Sequence, residues 1–158
     1  MSSYSNRYGT AAGEPGAKLT FYAALAAYGG QLPFIGLVVW LWTHNAGYAS
    51  HVLAVYAAVV ITFIGGVHWG WTLAGHADSR RYLWAMLPLV AGWILACLPW
   101  PAFSLPLLAV SVAALWYAER RWFADNLPRW YRFLCTQLAV AATIELLAAW
   151  VAVLVHAH

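Results

Sequence analysis

The sequence predicts an all-α integral membrane protein, a compact bundle of five transmembrane helices. Three observations predict this class. Of the 158 residues, 64% are hydrophobic and only 8% are charged, whereas soluble domains carry roughly 25% charged residues. The mean hydropathy is +0.68 and 16% of the residues are aromatic, which is the opposite of a disordered composition. The apolar residues also fall into five separate segments, each close to the length that crosses a bilayer.

The five segments follow a polar N-terminal tail, residues 1–17, and make up a transmembrane domain over residues 18–158. About 20 residues at 1.5 Å each cross a hydrocarbon core of ~30 Å. Helices are the expected form, because a barrel would need many alternating ten-residue strands. The predicted spans are approximately residues 19–42, 49–74, 82–100, 102–117 and 133–155.

The first segment contains a predicted kink. Pro33 has no N–H to donate to the carbonyl of Gly29, so the helix bends or opens there. Counted from Lys18, Tyr28 lies ~15 Å and Gln31 ~20 Å into the membrane. These two residues are either part of a proline kink with local backbone repair or part of a polar site.

The second segment carries the densest local pattern, residues 63–70 with the sequence FIGGVHWG. His68 lies two residues from both Gly66 and Gly70, so it points away from them and this segment is predicted to be the central helix. Small side chains recur at every fourth position on the glycine face, which predicts close approach of another helix. This stripe comprises Thr62, Gly66, Gly70 and Ala74.

His68 is predicted to lie ~12 Å inside the bilayer. An imidazole at that depth can ligate a metal, relay a proton or hydrogen-bond a quinone carbonyl. The alternative is a structural histidine hydrogen-bonded to a neighbouring helix.

Glu145 is the only acidic residue inside the five predicted spans and lies near the midplane, ~18 Å deep. A carboxyl group there has to be protonated or paired, because burial of a bare charge costs several kcal/mol. It acts either as a proton-accepting or ligand-anchoring group, or as a neutral hydrogen-bonding link between helices. Similar depths predict one polar cluster of Tyr28, Gln31, His68 and Glu145.

The positive-inside rule places the N-terminus inside and the C-terminus outside. With five crossings, all eight Lys and Arg residues fall on the inner side: Arg7, Lys18, Arg80, Arg81, Arg120, Arg121, Arg129 and Arg132. Cys97 and Cys135 then lie near opposite faces, too far apart for a disulfide. We therefore expect two free thiols.

The last four of these arginines are interleaved with tryptophans between the fourth and fifth segments. Arg120, Arg121, Arg129 and Arg132 are predicted to contact anionic lipid headgroups, at ~1 kcal/mol each. Docking of a partner protein is the alternative.

The outer face carries histidines but no charged residue. Their spacing matches no strong copper or zinc template, so they are only weak candidates for a metal site: His44, His51, His156 and His158. No nucleophile triad, phosphate loop or metalloprotease helix occurs in the sequence, so no catalytic residue is predicted, and the sequence does not identify a cofactor.

The FIGGVHWG run resembles the signature of an uncharacterised family of small multi-pass membrane proteins. Two weaker matches accompany it, LPF at residues 32–34 and PRWYR at residues 128–132. The family occurs in proteobacterial inner membranes and includes a small mitochondrial transmembrane protein of animals. The resemblance implies a bacterial inner membrane, with the mitochondrial inner membrane as the alternative, and it implies no established reaction.

Two functions are therefore expected. The first is a non-enzymatic accessory or structural bundle in an energy-transducing membrane. Its partners would be the lipid bilayer and either a second copy of itself or a larger membrane complex. The second is a binding or proton-handling site for a small amphiphilic, quinone-like ligand, lined by His68 and Glu145. Eight basic residues beside apolar segments are no indication of nucleic acid binding.

Overall fold

The computed structural model of the protein describes residues 17–44, 47–73, 79–122 and 129–156. These residues are helical apart from two short connections, at residues 30–31 and 97–100, and include no strand. The all-α class is therefore confirmed for them. The helices are α1 (Ala17–Gly29), α2 (Leu32–His44), α3 (Gly47–Leu73), α4 (Ser79–Ala96), α5 (Pro101–Trp122) and α6 (Arg129–His156).

Four stretches of the described chain are long and apolar enough to cross a membrane. The first combines α1 and α2, and the stretches are Thr20–His44, Gly47–Gly70, Pro101–Trp122 and Arg129–His156. The apolar part of α4, Tyr82–Ala96, is shorter than the 18 residues of such a stretch. It covers only ~22 Å of a ~30 Å hydrocarbon core.

Helices α5 and α6 both extend past the limits predicted from hydropathy. α5 continues to Trp122 rather than Tyr117, and α6 begins at Arg129 rather than Phe133. Charged residues do not end α5, because Ala118 and Glu119 are buried against the rest of the bundle. Tertiary packing thus extends the helix beyond its apolar segment.

The kink predicted at Pro33 is confirmed. α1 ends at Gly29 and α2 begins at Leu32, and between them the Gln31 N–H donates to the Tyr28 carbonyl at 3.0 Å. From α3, the Tyr56 hydroxyl donates to the Gly30 carbonyl at 2.8 Å. A neighbouring helix therefore satisfies part of the backbone that the break exposes.

The core lies between α2, α3, α5 and α6. α3 contacts α2, α4, α5 and α6, so it is a central helix, and α6 likewise contacts α1, α2, α3 and α5. Many core side chains are alanines, which allow the helices to pack closely. The buried core residues of α3 and α6 are Ala49, Leu53, Ala54, Ala57, Ala58, Ile61, Ala142, Leu146, Ala149 and Ala152.

Helices α3 and α4 approach each other most closely at two glycines that the predicted stripe does not include. A Cβ added to Gly65 would lie 2.7 Å from the Ala85 carbonyl oxygen, and one added to Gly92 would lie 3.0 Å from the Ala58 carbonyl oxygen. By contrast, a Cβ added to Gly66 or Gly70 would meet nothing within 4 Å.

The closest approach of α3 to α4 therefore does not lie at the glycines of the predicted stripe, and the stripe stays a prediction for contact with another helix. Gly66 and Gly70 are exposed on the outward side of α3. Thr62 lies near Gly92, and Ala74 lies outside the described residues. Small-residue spacing identified a helix surface suited to close contact, but the contact between α3 and α4 is rotated by one residue.

The two ends of the bundle differ in charge. At the end that we call the basic end, α3 leads to α4 and α5 leads to α6, and the rings of Trp84 and Trp122 lie 4.6 Å apart. Seven of the eight basic residues lie in the described chain, and all belong to helix turns at this end. They are Lys18, Arg80, Arg81, Arg120, Arg121, Arg129 and Arg132.

The opposite end, which we call the uncharged end, contains the end of α2, the start of α3, residues 97–101 and the end of α6. None of the described residues there is Asp, Glu, Lys or Arg. Exposed Cys97 lies at this end and half-buried Cys135 lies towards the other, and both are free thiols.

Candidate functional site

A buried ionisable pair joins α3 to α5 near the basic end. The His68 Nε2 atom lies 3.9 Å from Glu119 Oε1, and each residue is 9% exposed. His68 shares its face of α3 with Ile61, Gly65 and Thr72, which are all buried. The helical spacing of this face therefore directs the imidazole into the bundle.

Two residues of α6 complete this site. Tyr131 and Cys135 are four residues apart on one face of α6, where their side chains interact with each other and with Glu119. We call His68, Glu119, Tyr131 and Cys135 the inner cluster. It brings together side chains from three helices whose order around the bundle the sequence does not specify.

The inner cluster contains unused hydrogen-bonding capacity. Glu119 Oε1 is buried without a hydrogen-bond partner, and so is Trp130 Nε1, whose ring contacts that of Tyr131. The 3.9 Å between imidazole and carboxyl exceeds a direct hydrogen bond. A water molecule or a polar ligand atom beside Glu119 Oε1 would satisfy that oxygen, which is the usual solution for buried polar atoms. Such an arrangement can exchange a proton or hold a small polar group.

Glu119 lies beyond the predicted fourth span, which ended at Tyr117, and was therefore not among the predicted site residues. A signal was nevertheless present in the chain. Leu105, Leu108 and Val112 recur at helical spacing on the buried face of α5, and Glu119 follows Val112 by two turns on the same face. Extending the apolar periodicity through residues 116–119 would have identified the buried carboxyl group.

Tyr28 and Gln31 connect the first segment to α6. The Tyr28 hydroxyl donates to Gln137 Oε1, and the Gln31 amide donates to the Leu138 carbonyl at 2.9 Å. These two hydrogen bonds hold α1 and the kink against α6. In the structure the two residues therefore act as interhelical links.

Glu145 lies further along α6 than the inner cluster. It is half-buried and its Oε2 atom has no hydrogen-bond partner. Ten residues separate it from Cys135, which corresponds to ~15 Å along the helix axis. The contacts described above pair Tyr28 with Gln137, Gln31 with Leu138 and His68 with Glu119. One cluster of Tyr28, Gln31, His68 and Glu145 stays a prediction.

The arginines predicted to contact lipid headgroups mostly converge. Arg120, Arg129 and Arg132 line a cavity of about 350 Å³ together with Phe133. The guanidinium of Arg120 also lies 5.3 Å from the centre of the Trp116 ring. Arg121 is exposed and does not line this cavity.

Three of the four histidines predicted as weak metal candidates lie near the ends of described helices. His44 is beside Thr43, His51 is exposed, and the His156 Nδ1 is 2.8 Å from the Ala152 carbonyl oxygen. His158 lies outside the described residues. Within the described ranges, no three His, Cys, Asp or Glu side chains form a group that could hold a metal ion.

Comparison with known proteins gives one match. The model of a family described as "Protein of unknown function (DUF3429)" matches residues 20–154. No curated protein and no solved structure matches the chain.

Proposed function

The chain belongs to the DUF3429 family of proteins of unknown function, and from this premise we propose that it is a non-enzymatic accessory or structural bundle. It is embedded in an energy-transducing membrane, either a bacterial inner membrane or the mitochondrial inner membrane. α4 completes the crossing as a fifth, shorter span. Lipids surround the bundle, and its function is to pack against other membrane helices.

The observation that carries this proposal is the apolar character of the outward-facing surface. Large hydrophobic side chains are exposed in the middle of the helices, including Phe63 in α3, Trp93 in α4, Val110 in α5 and Ile144 in α6, each more than 60% exposed. A water-soluble monomer rarely exposes so continuous an apolar surface. In a bilayer the same surface is solvated by acyl chains.

The difference in charge between the two ends supports an orientation. The basic end holds all the described Lys and Arg residues, and the uncharged end holds none. By the positive-inside rule, the basic end faces the cytoplasm or matrix. The N-terminus then lies inside and the C-terminus outside.

The outward glycines of α3 support helix packing with a partner. Gly66 and Gly70 are exposed, and a Cβ added at either would meet no atom of the described chain within 4 Å. Small residues four positions apart let a second helix backbone approach closely in a membrane. The partner is either a second copy of this chain or a helix of a larger complex.

Cysteine labelling in cells tests the membrane placement. The Cys135→Ser variant leaves only Cys97, and a membrane-impermeant maleimide should modify it from outside the cell. The triple variant Cys97→Ser, Cys135→Ser, Arg121→Cys should be modified only in inverted vesicles. Labelling of both positions from the same side, or release of the protein by alkaline carbonate, would contradict the placement.

Crosslinking tests the packing function. In a chain without its two native cysteines, Gly66→Cys should form a crosslink to a second copy or to another membrane protein after mild oxidation. The matched control is Phe133→Cys, which is also outward-facing but lies away from the glycine stripe. Equal crosslinking at the two positions would argue against a specific packing face.

A second candidate function is a small-ligand or proton-handling site, as the buried His68–Glu119 pair favours. In this second candidate function, the carboxyl group beside His68 is that of Glu119, whereas the sequence predicted Glu145 there. Glu145 is then a separate carboxyl group in the middle of the membrane. A short-chain quinone analogue should quench the tryptophan fluorescence of the purified protein. His68→Gln and Glu119→Gln should weaken that quenching at least tenfold, and Glu145→Gln less. Quenching that is the same in all variants would exclude this site.

A further inference from the structure

We propose that the α5–α6 side of the bundle binds one anionic phospholipid from the leaflet at the basic end. The phosphate lies in the arginine cavity, and an acyl chain follows an apolar groove that continues from it between the two helices. This inference rests on the membrane placement proposed above, and it adds a defined ligand site to the accessory bundle.

The cavity has the charge that a lipid phosphate requires. Arg120, Arg129 and Arg132 line about 350 Å³ of open space. Within the described ranges none of the three is in a salt bridge, and the buried Glu119 faces His68. Guanidinium groups pair with phosphate oxygens through charge-assisted, often bidentate hydrogen bonds.

The groove beside the cavity is apolar. It has a volume of about 190 Å³. The one hydroxyl group among its lining residues, that of Thr143, donates a hydrogen bond to the Ala139 carbonyl at 2.7 Å. No polar atom of the groove therefore requires water. The lining residues are Ala113, Trp116, Ala139, Val140, Thr143 and Ile144.

Thr136 and Trp116 connect the two spaces. The Thr136 hydroxyl accepts from the Trp116 indole at 3.1 Å and from Arg120 at 3.2 Å, and it donates to the Arg132 carbonyl at 2.7 Å. Its donor and both acceptor positions are therefore used. One hydroxyl thus holds a cavity arginine and the tryptophan that lines the groove, so their relative positions are fixed.

The length of the site agrees with one leaflet. On α6, Phe133, Val140 and Ile144 lie on one face at seven- and four-residue spacing. From Arg132 to Ile144 the helix rises ~18 Å, close to half of a ~30 Å hydrocarbon core. The occupant that combines an anionic group at the basic end with an apolar chain of this length is an anionic phospholipid.

Native mass spectrometry of the full chain in neutral detergent tests the inference. The probes are dioleoylphosphatidylglycerol, dioleoylphosphatidylcholine and inorganic phosphate, each titrated separately. We expect one phosphatidylglycerol to remain bound at concentrations where phosphatidylcholine and phosphate do not. Equal retention of the two lipids, or retention of phosphate alone at the same concentration, would overturn the proposal.

Two pairs of variants separate the headgroup cavity from the groove. Arg129→Gln with Arg132→Gln should weaken phosphatidylglycerol binding roughly 25-fold, since ~1 kcal/mol for each arginine is about fivefold. Arg121→Gln, outside the cavity, is the control and should have under a fivefold effect. A loss as large for Arg121→Gln would indicate general electrostatic attraction and contradict a defined site.

The second pair examines the acyl chain. Ala113→Phe fills the groove and should weaken phosphatidylglycerol binding about tenfold, whereas Ala114→Phe, on the adjacent outward face of α5, should not. If Ala113→Phe has no effect, the lipid-chain part of the proposal fails. Cysteine labelling distinguishes this failure from a failure of membrane placement, because a correctly inserted protein with no lipid preference refutes only the lipid site.

Discussion

The two helix pairs of the bundle, α3 with α4 and α5 with α6, pack in opposite ways. Between α3 and α4, Gly65 and Gly92 bring backbones so close that an added methyl group would meet a carbonyl oxygen. Between α5 and α6, a cavity and a groove remain open to the outside. One contact is closed to any ligand, and the other offers space.

This difference indicates a division of roles within one small protein. Closely packed glycines contribute dispersion contacts but no polar groups, so the α3–α4 contact is suited to rigidity. The α5–α6 contact is held by hydrogen bonds that converge on Thr136. The α5–α6 contact therefore leaves arginine side chains and open space accessible to a partner protein or a lipid.

The largest expected effect comes from a substitution that disrupts the close contact between α3 and α4. Gly65→Ala places a Cβ 2.7 Å from the Ala85 carbonyl oxygen, and α4 has to move. We expect a loss of about 3 kcal/mol, at the upper end of overpacking costs, measured as a lower unfolding midpoint in detergent. Gly66→Ala is the matched control and should be neutral or slightly stabilising, because alanine is the better helix former. Equal effects at the two positions would show that α3 and α4 do not meet at Gly65.

A smaller effect is expected where the two pairs join, at His68 and Glu119. His68→Leu removes the polar group that faces a buried carboxyl and should cost about 2 kcal/mol, as for an unsatisfied buried acceptor. Adding Glu119→Leu should restore much of the stability, because replacing both partners of a buried pair by apolar residues is often neutral. If the double variant loses as much stability as His68→Leu and Glu119→Leu lose in sum, the two side chains do not interact.

The smallest effect concerns the open contact. Thr136→Val keeps the shape of the side chain but removes the hydroxyl that Trp116 and Arg120 share. We expect a loss of about 1 kcal/mol in stability. The emission of Trp116 should also change, as measured against a Trp116→Phe variant that subtracts its signal. Thr143→Val, whose hydroxyl bonds only within α6, serves as the control and should change stability by less.

The break at Pro33 followed from covalent chemistry, because the missing N–H is a property of the residue itself. Glu119 was not predicted because it lies beyond the apolar segment from which the fourth span was read, and only the buried face of α5 extends to it. The sequence also did not predict that α4 approaches α3 at Gly65 rather than at Gly66. Several faces of α3 carry small residues, and the choice among them depends on where α4 is held.

The sequence alone determined that this chain is helical and apolar, that a kink interrupts its first segment, and that its basic residues gather at one end. These properties depend on composition, on local hydrogen bonding and on position along the chain. Only the tertiary structure decided which polar groups meet, because depth and rotation of each helix depend on all its neighbours. His68 therefore faces Glu119, and three arginines line one cavity. Glu145 lies ~15 Å beyond Cys135 along α6.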